Sequence, residues 1–256
     1  FEIRDSIYRG REDFVYRVSA GELPFITGIE PLGGKEEKPV TVSVKGWNLD
    51  KKSLPLDTQP GGDHIRWLSH DVNGVASNAV PYAVDTLPEH REKEPNDDIA
   101  HAAEIKMNAI VNGNIERPGD TDVFAIQCTA EKNVVAEVYA RRLYSPLDSG
   151  LRITDAEGKE LVANDDCDDM EAGLLAHQAD SYLCFTPPAD GTYYVHLCDM
   201  QEHGGEAYSY RLRLSAPRPD FALRVTPSTL NILPGGIEPL TVHVLRKDGF
   251  KGKIKL

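Results

Sequence analysis

Apolar residues recur at every second position through most of the chain. Val40-Thr41-Val42-Ser43-Val44 and Tyr208-Ser209-Tyr210-Arg211-Leu212-Arg213-Leu214 show this most cleanly. A period of two sends side chains alternately to the two faces of an extended strand, so each run has one face to bury and one to hydrate. Gly-Gly, Pro-Gly, Asn-Gly and Asp-Gly pairs interrupt the runs, and these residues supply the backbone angles of tight turns. The expected fold is all-β, arranged as tandem β-sandwich domains. One short segment, Asp97 to about Ile105, has a helical pattern with Asp97 or Asp98 placed to cap it.

Two acidic runs stand out against this background. The first reads Glu92-Lys93-Glu94-Pro95-Asn96-Asp97, and the second Asp120-Thr121-Asp122 at the mouth of a strand. Pro95 disfavours the α region for Glu94, and an extended segment puts Glu92, Glu94 and Asn96 on one side. Two readings fit. The runs are a solvated acidic linker, as charge runs usually are, or their six oxygen-bearing side chains wrap a hard cation, for which Ca²⁺ is the expected metal. From Asp148 to Glu171 there are nine acids and two bases. There Asp165, Asp166, Asp168 and Asp169 pose the same choice between a cation site and a polar loop bonded to its own backbone.

Charge and length narrow the function. The chain has 256 residues, 41 acids against 28 bases, and a net charge of −13. Such a balance argues against nucleic acid or an anionic membrane as partner. No apolar run is long enough to span a bilayer. Phe1 opens the chain without an initiator methionine or signal pattern, so it reads as an excised piece of a longer protein. Four cysteines, Cys128, Cys167, Cys184 and Cys198, permit three disulfide pairings. None forms a C-x-x-C pair, which argues against zinc. Cys128 alternates with Phe124 and Ile126 and is expected to be a buried thiol.

No catalytic constellation is present. The chain lacks H-E-x-x-H, G-x-S-x-G and a glycine-rich phosphate loop. Its eight histidines are scattered. Asp148, Asp155 and Asp165 are possible paired carboxylates, but they sit in turn motifs.

Four segments emerge. Residues 1–23 read as the terminal hairpin of a preceding repeat, because Asp5, Gly10, Tyr16 and Arg17 match Asp199, Gly204, Tyr210 and Arg211 at a constant offset of 194. Residues 24–86 form a compact β unit, with Trp47 and Trp67 expected in its core. Residues 87–217 form a larger antiparallel sandwich of about eight strands. Its clearest strands are Val123 to Ile126, Val134 to Tyr139, Leu151 to Ile153 and Tyr193 to Leu197. Residues 218–256 start another sandwich and are too few to complete it.

The larger segment resembles bacterial pre-peptidase C-terminal domains. The resemblance rests on E-P-N-D at 94–97, G-D-T-D-V-F at 119–124, S-P-L-D-S-G-L-R-I-T-D at 145–155, N-D-D at 164–166, P-A-D-G-T-Y-Y-V at 188–195 and Y-S-Y-R-L-R-L at 208–214. It covers about half the chain. It implies a jelly-roll-like sandwich from a secreted bacterial protein, often found behind a peptidase and not itself one. Collagen-binding members of that family hold calcium through acids and an Asn of the opening linker and through Asp at a strand mouth. On that resemblance the metal ligands are Glu92, Glu94, Asn96, Asp97, Asp120 and Asp122, with Asp120 the least securely placed. The same members use tyrosines on a sheet face, which points to Tyr194, His196, Tyr208 and Tyr210 as a binding face. Against this stands the alternative that these rings only cover the sandwich. Residues 24–86 resemble an immunoglobulin-like IPT/TIG domain through P-L-G-G at 31–34 and V-T-V-S-V-K-G-W-N-L at 40–49, and 218–256 resemble the start of an immunoglobulin-like domain.

The expected function is a non-catalytic module set, secreted or at the cell surface. It would serve spacing, adhesion or binding of an extracellular polymer, protein or polysaccharide, with Ca²⁺ stabilising the linker. Its other partners would be domains of the same parent chain. The alternative is an export or processing segment of a secreted peptidase, removed after secretion. A hydrolase remains only if the acids of 148–171 converge in a cleft.

Overall fold

A computed structural model of the chain describes residues 2–4, 15–167, 177–227 and 229–255. Residues 1 and 5–14 of the repeated hairpin expected over 1–23 lie outside these residues, and so do Asp168 and Asp169. Residues 15–20 are described and form no strand.

Two small three-stranded sheets build the first unit. The strands are β1 (Phe25–Glu30), β2 (Gly33–Lys35), β3 (Thr41–Trp47), β4 (Ser53–Pro55), β5 (Ile65–Leu68), a short hairpin β6 (Asp71–Val72) and β7 (Val75–Ala76), and β8 (Val80–Asp85). The sheet orders are β1-β3-β4 and β2-β8-β5. Val42, Val44, Leu54, Leu68 and Tyr82 close the core between them. The two tryptophans expected in this core stand on the surface instead, Trp47 65 % and Trp67 58 % exposed. Aliphatic side chains and Tyr82 already fill the narrow space, leaving the indoles outside.

Two five-stranded sheets face each other in the central unit. Its strands are β9 (Glu89–Arg91), β10 (Ala103–Ile105), β11 (Ala109–Asn114), β12 (Thr121–Cys128), β13 (Val134–Tyr139), β14 (Ser149–Thr154), β15 (Glu160–Asn164), β16 (Tyr182–Phe185), β17 (Gly191–Asp199) and β18 (Ser209–Ser215). The orders are β10-β12-β17-β14-β15 and β16-β13-β18-β11-β9. Alternation carries through: Phe124, Ile126 and Cys128 point into the core from β12, and Tyr210, Leu212 and Leu214 from β18. Burying each large apolar side chain contributes about 1.5–3 kcal/mol. The thiols of Cys128, Cys184 and Cys198 are free, and Cys128 is buried.

Ten strands replace the expected eight, and two edges run parallel to their neighbours. β9 pairs with β11 and β10 with β12 in parallel register. Both are pieces of the linker region laid along sheet edges. The helix expected over 97–105 is absent. Asp98 caps one turn only, accepting from the His101 N–H at 3.0 Å, and the chain then enters β10. Arg141–Leu143 forms a 3₁₀ turn. Tyr139 and Leu143, from this unit, pack into the core of the first.

β19 (Asp220–Thr226) and β20 (Thr241–Lys247) form a two-stranded antiparallel ribbon. It is mostly exposed and tied down by charge. Asp248 accepts from Arg213 Nη1 and Nη2 at 2.8 and 2.9 Å. Arg213 also donates to Glu137 Oε2 from Nε and Nη2 at 2.9 and 2.7 Å. Burial raises the Glu137 carboxyl, but Arg142 and Arg213 outweigh it and hold the group below its ordinary range. Arg218, on the connector into β19, donates to both oxygens of Asp85 at the end of β8, at 2.8 and 3.0 Å.

Candidate metal centre

The site lies at one end of the central core, where linker, β12 and β18 converge. Asp122 sits on β12 in phase with Phe124 and is fully buried. Tyr210 reaches it from the facing sheet, donating to Asp122 Oδ2 at 2.6 Å. The same hydroxyl lies 2.5 Å from Glu92 Oε2. One hydroxyl has one proton, so both contacts are satisfied only by sharing it or by a proton on a carboxyl.

Glu92 follows β9 directly. Its N–H donates to the Asn112 carbonyl at 3.0 Å, and its Oε1 accepts from the Asn114 N–H. The parallel pairing of β9 with β11 therefore delivers Glu92 to the cluster. Gly113 makes the approach possible, because a Cβ there would overlap Glu92 Oε2 and the Tyr210 hydroxyl.

Glu94 and Asn96 complete the inner ring. Ligand oxygens of Glu92, Glu94 and Asp122 all lie within 4.8 Å of one another. Asn96 is fully buried, and its main chain is pinned by the Val123 N–H donating to the Asn96 carbonyl at 2.8 Å. One end of its amide lies 2.9 and 3.2 Å from the Glu94 oxygens and 3.1 Å from Asp122 Oδ1. The NH₂ in that place donates to the acids; the carbonyl oxygen in that place needs a cation among them. Asp120, also buried, accepts from the Glu116 N–H at 2.8 Å through Oδ2. Its Oδ1 makes no hydrogen bond among the described residues but lies 3.4 Å from Arg117 Nη2.

Electrostatics follow from the geometry. Burial first, then the neighbouring Glu92 charge, pushes the Asp122 carboxyl up to about 10. Burial also raises Glu92 and Glu94. No ion pair reaches Glu92, Glu94 or Asp122 among the described residues. The donor set is all oxygen and strongly acidic, which suits a hard divalent cation.

Not every expected ligand joins the cluster. Asp97 turns to Arg117, whose Nη2 donates to Asp97 Oδ2 at 2.7 Å; its neighbour Asn96 takes the inward position. The four residues of the expected binding face also separate. Tyr210 is 1 % exposed and belongs to the acid cluster. It shares the phase of Leu212 and Leu214, a signal already legible in the alternation. His196 is on the outer side of β17 but buried, its Nε2 3.0 Å from Thr154 Oγ1. Burial, then the Arg152 charge, drops its imidazolium to about 4. Tyr194 and Tyr208 are half-buried, and Tyr208 packs against the core. These four do not make one exposed face.

Among the described acids of 148–171, Asp155 serves a turn and Asp148 and Asp166 meet glutamine side chains. Asp155 Oδ1 accepts from the Glu157 and Lys159 N–H groups at 3.1 and 2.8 Å. Asp148 accepts from Gln201 Nε2 at 3.0 Å, and Asp166 from Gln178 Nε2 at 3.3 Å.

No family model matches the chain. It is 39 % identical over 110 residues to a probable subtilase-type serine protease of Deinococcus radiodurans. The match takes in 41 % of this chain and 14 % of that protein, so the chain spans a small part of the relative's length. Among solved structures, 48 % of the chain superposes on 99 % of the pre-peptidase C-terminal domain of a Bacillus anthracis collagenase, at 16 % identity and a TM-score of 0.34. A surface-associated copper-binding protein of Methylomicrobium album BG8, CorA, superposes on 45 % of the chain at 10 % identity and a TM-score of 0.29.

Proposed function

We propose that the chain is a non-catalytic extracellular module set whose linker is locked onto the central sandwich by Ca²⁺. The ligands are Glu92, Glu94, Asn96 and Asp122; Asp97 and Asp120, both ion-paired with Arg117, are left out. One observation carries the reading: carboxylates of Glu92 and Glu94 from the linker and of Asp122 from β12 converge within 4.8 Å, and none of the three has an ion pair among the described residues. Like charges at that distance repel and are poorly hydrated when buried, and a divalent ion offsets both costs. Bound metal also fixes the direction in which the linker leaves the first unit. The module's task is spacing or adhesion, with an extracellular polymer as partner.

Thermal melts test the metal. Ca²⁺ at about 1 mM, within the affinity range of extracellular calcium modules, raises the midpoint over that in chelator, since a ligand bound only to the folded state stabilises it. Replacing Glu94 by Gln together with Asp122 by Asn removes the increment. A wild-type protein that melts identically in both conditions overturns the proposal.

The protease relative favours a second reading, an export or processing segment of a secreted peptidase. Mass analysis of the mature secreted parent protein distinguishes the two: the segment is retained in the first and missing in the second.

A further inference from the structure

Two pairs of aromatic rings stand exposed. Phe25 and Trp47 have centroids 5.9 Å apart, and Trp67 and Tyr144 6.0 Å apart, the latter edge to face at 68°. Trp67 comes from β5 and Tyr144 from the turn after β13, so this pair bridges the two units. Exposed aromatic surface forgoes the gain of burial and marks sites of interaction when it sits beside polar groups.

Trp67 has such surroundings. It forms one wall of a cavity of about 540 Å³ that is also lined by Asp57, Gln59, Asp63 and Tyr82. Arg66 shapes this cavity. Its Nε, Nη1 and Nη2 donate to the carbonyls of Asp63, Asp57 and Gln59 at 3.0, 2.8 and 2.6 Å. The guanidinium is thus spent on holding the 57–63 loop in a curve. Gly62 allows the closure, since a Cβ there would stand 2.8 Å from Arg66 Nη2. Among the described residues, no hydrogen bond engages the side chains of Gln59 or Asp63. The cavity therefore presents one apolar ring face and a wall rich in open acceptors.

Tyr144 supplies the second exposed ring beside Trp67. Its φ is 67°, a left-handed conformation that a bulky residue adopts at a cost of about 1–3 kcal/mol. That conformation turns the ring outward, 60 % exposed, beside Trp67. The cost is offset by the backbone: Tyr144 is the left-handed C-cap of the Arg141–Leu143 turn, and its N–H donates to the Arg141 carbonyl at 3.0 Å.

We propose that Trp67, Tyr144 and the 57–63 loop bind a carbohydrate, the neutral or amine-bearing pyranose units of a polysaccharide. The C–H face of a pyranose carries partial positive charge and stacks on the negative face of an indole. Its hydroxyls then donate to Gln59 and Asp63, since Asp57 Oδ1 is already taken by the Gln59 N–H at 3.0 Å. The acceptor-rich wall and the net charge of −13 disfavour sulfated or uronic acid polymers. A proline-rich peptide needs an aromatic-lined groove, whereas the edge-on Tyr144 leaves one open indole face. The site names the polymer class within the reading above but shares no residue with the metal centre, so it stands if calcium binding fails.

Calorimetric titration of the full chain with chitohexaose and with cellohexaose tests it, in Ca²⁺ and in chelator. Saturable binding to at least one is expected in both conditions. Trp67→Ala weakens it by about tenfold, as loss of a stacked aromatic implies. Tyr144→Ala weakens it less, and Trp47→Ala leaves it unchanged. Gln59→Ala combined with Asp63→Asn weakens binding without touching the rings, which keeps the test decisive should Trp67→Ala melt early. Failure of both sugars to bind overturns the proposal. So does equal loss from Trp47→Ala and Trp67→Ala, full affinity in the Gln59/Asp63 variant, or Trp67-dependent binding of a triple-helical proline-glycine peptide in place of sugar.

Discussion

Asp122 holds a carboxyl where water cannot reach it and other carboxyls can. With its proton affinity raised to about 10, the folded chain keeps a proton that the unfolded chain releases above the ordinary carboxylate range. Stability without metal is therefore fullest in acid and declines as pH rises toward that value. Glu92 and Glu94 shift the same way. Melting midpoints in chelator should fall between about pH 5 and pH 9, and Ca²⁺ should flatten the decline by holding the ionised form. Asp122→Asn should raise metal-free stability at neutral pH by on the order of 1–3 kcal/mol while abolishing the calcium increment, as denaturant titrations would show. Gly113→Ala should do the opposite to the scaffold, costing about 1–3 kcal/mol by overpacking and displacing Glu92 and Tyr210 together. Pro95 and the two-residue spacing of Glu92, Glu94 and Asn96 made the inner ring visible in sequence. The share of Tyr210 was hidden, because a tyrosine on a core phase shows nothing of what its hydroxyl meets at the far end of the sandwich.

Strands were the most legible elements where one face is apolar and the other is not. β17 follows its alternation except at His196, whereas β12 buries Val123 and Ala125 on its outer phase as well. β18 shows where that logic ends, for all seven of its residues are buried. Arg211 and Arg213 occupy the phase that alternation assigns to water, yet β9 and the β19–β20 ribbon cover them. Arg211 is 1 % exposed and donates to both Glu89 oxygens at 2.8 and 3.0 Å. Glu89 lies 122 residues from Arg211 in sequence and Asp248 35 from Arg213, and no local pattern announces either. Removing one member of a buried pair costs about 3–5 kcal/mol, so Arg211→Met should loosen β9 and with it the linker. Asp248→Ala should act locally. Amide exchange over 220–226 and 241–247 should quicken while β12 and β17 keep their protection, because the ribbon has little apolar contact to hold it.

At the scale of the whole molecule, composition conveyed the charge and the two-residue alternation the β class, while the misplaced tryptophans show what neither could convey. A small core has room for few large side chains, and sequence does not say which are turned away. The ion pair between Arg218 and Asp85 adds a consequence of its own. It joins the start of the last connector to the end of β8, so the chain on either side of the central sandwich is also bridged by side chains. Tension applied along the polypeptide would run partly through this shunt, sparing β9 and the acid cluster from the first pull. The sandwich would then behave less like a bead on a string than like a link held shut by a clasp.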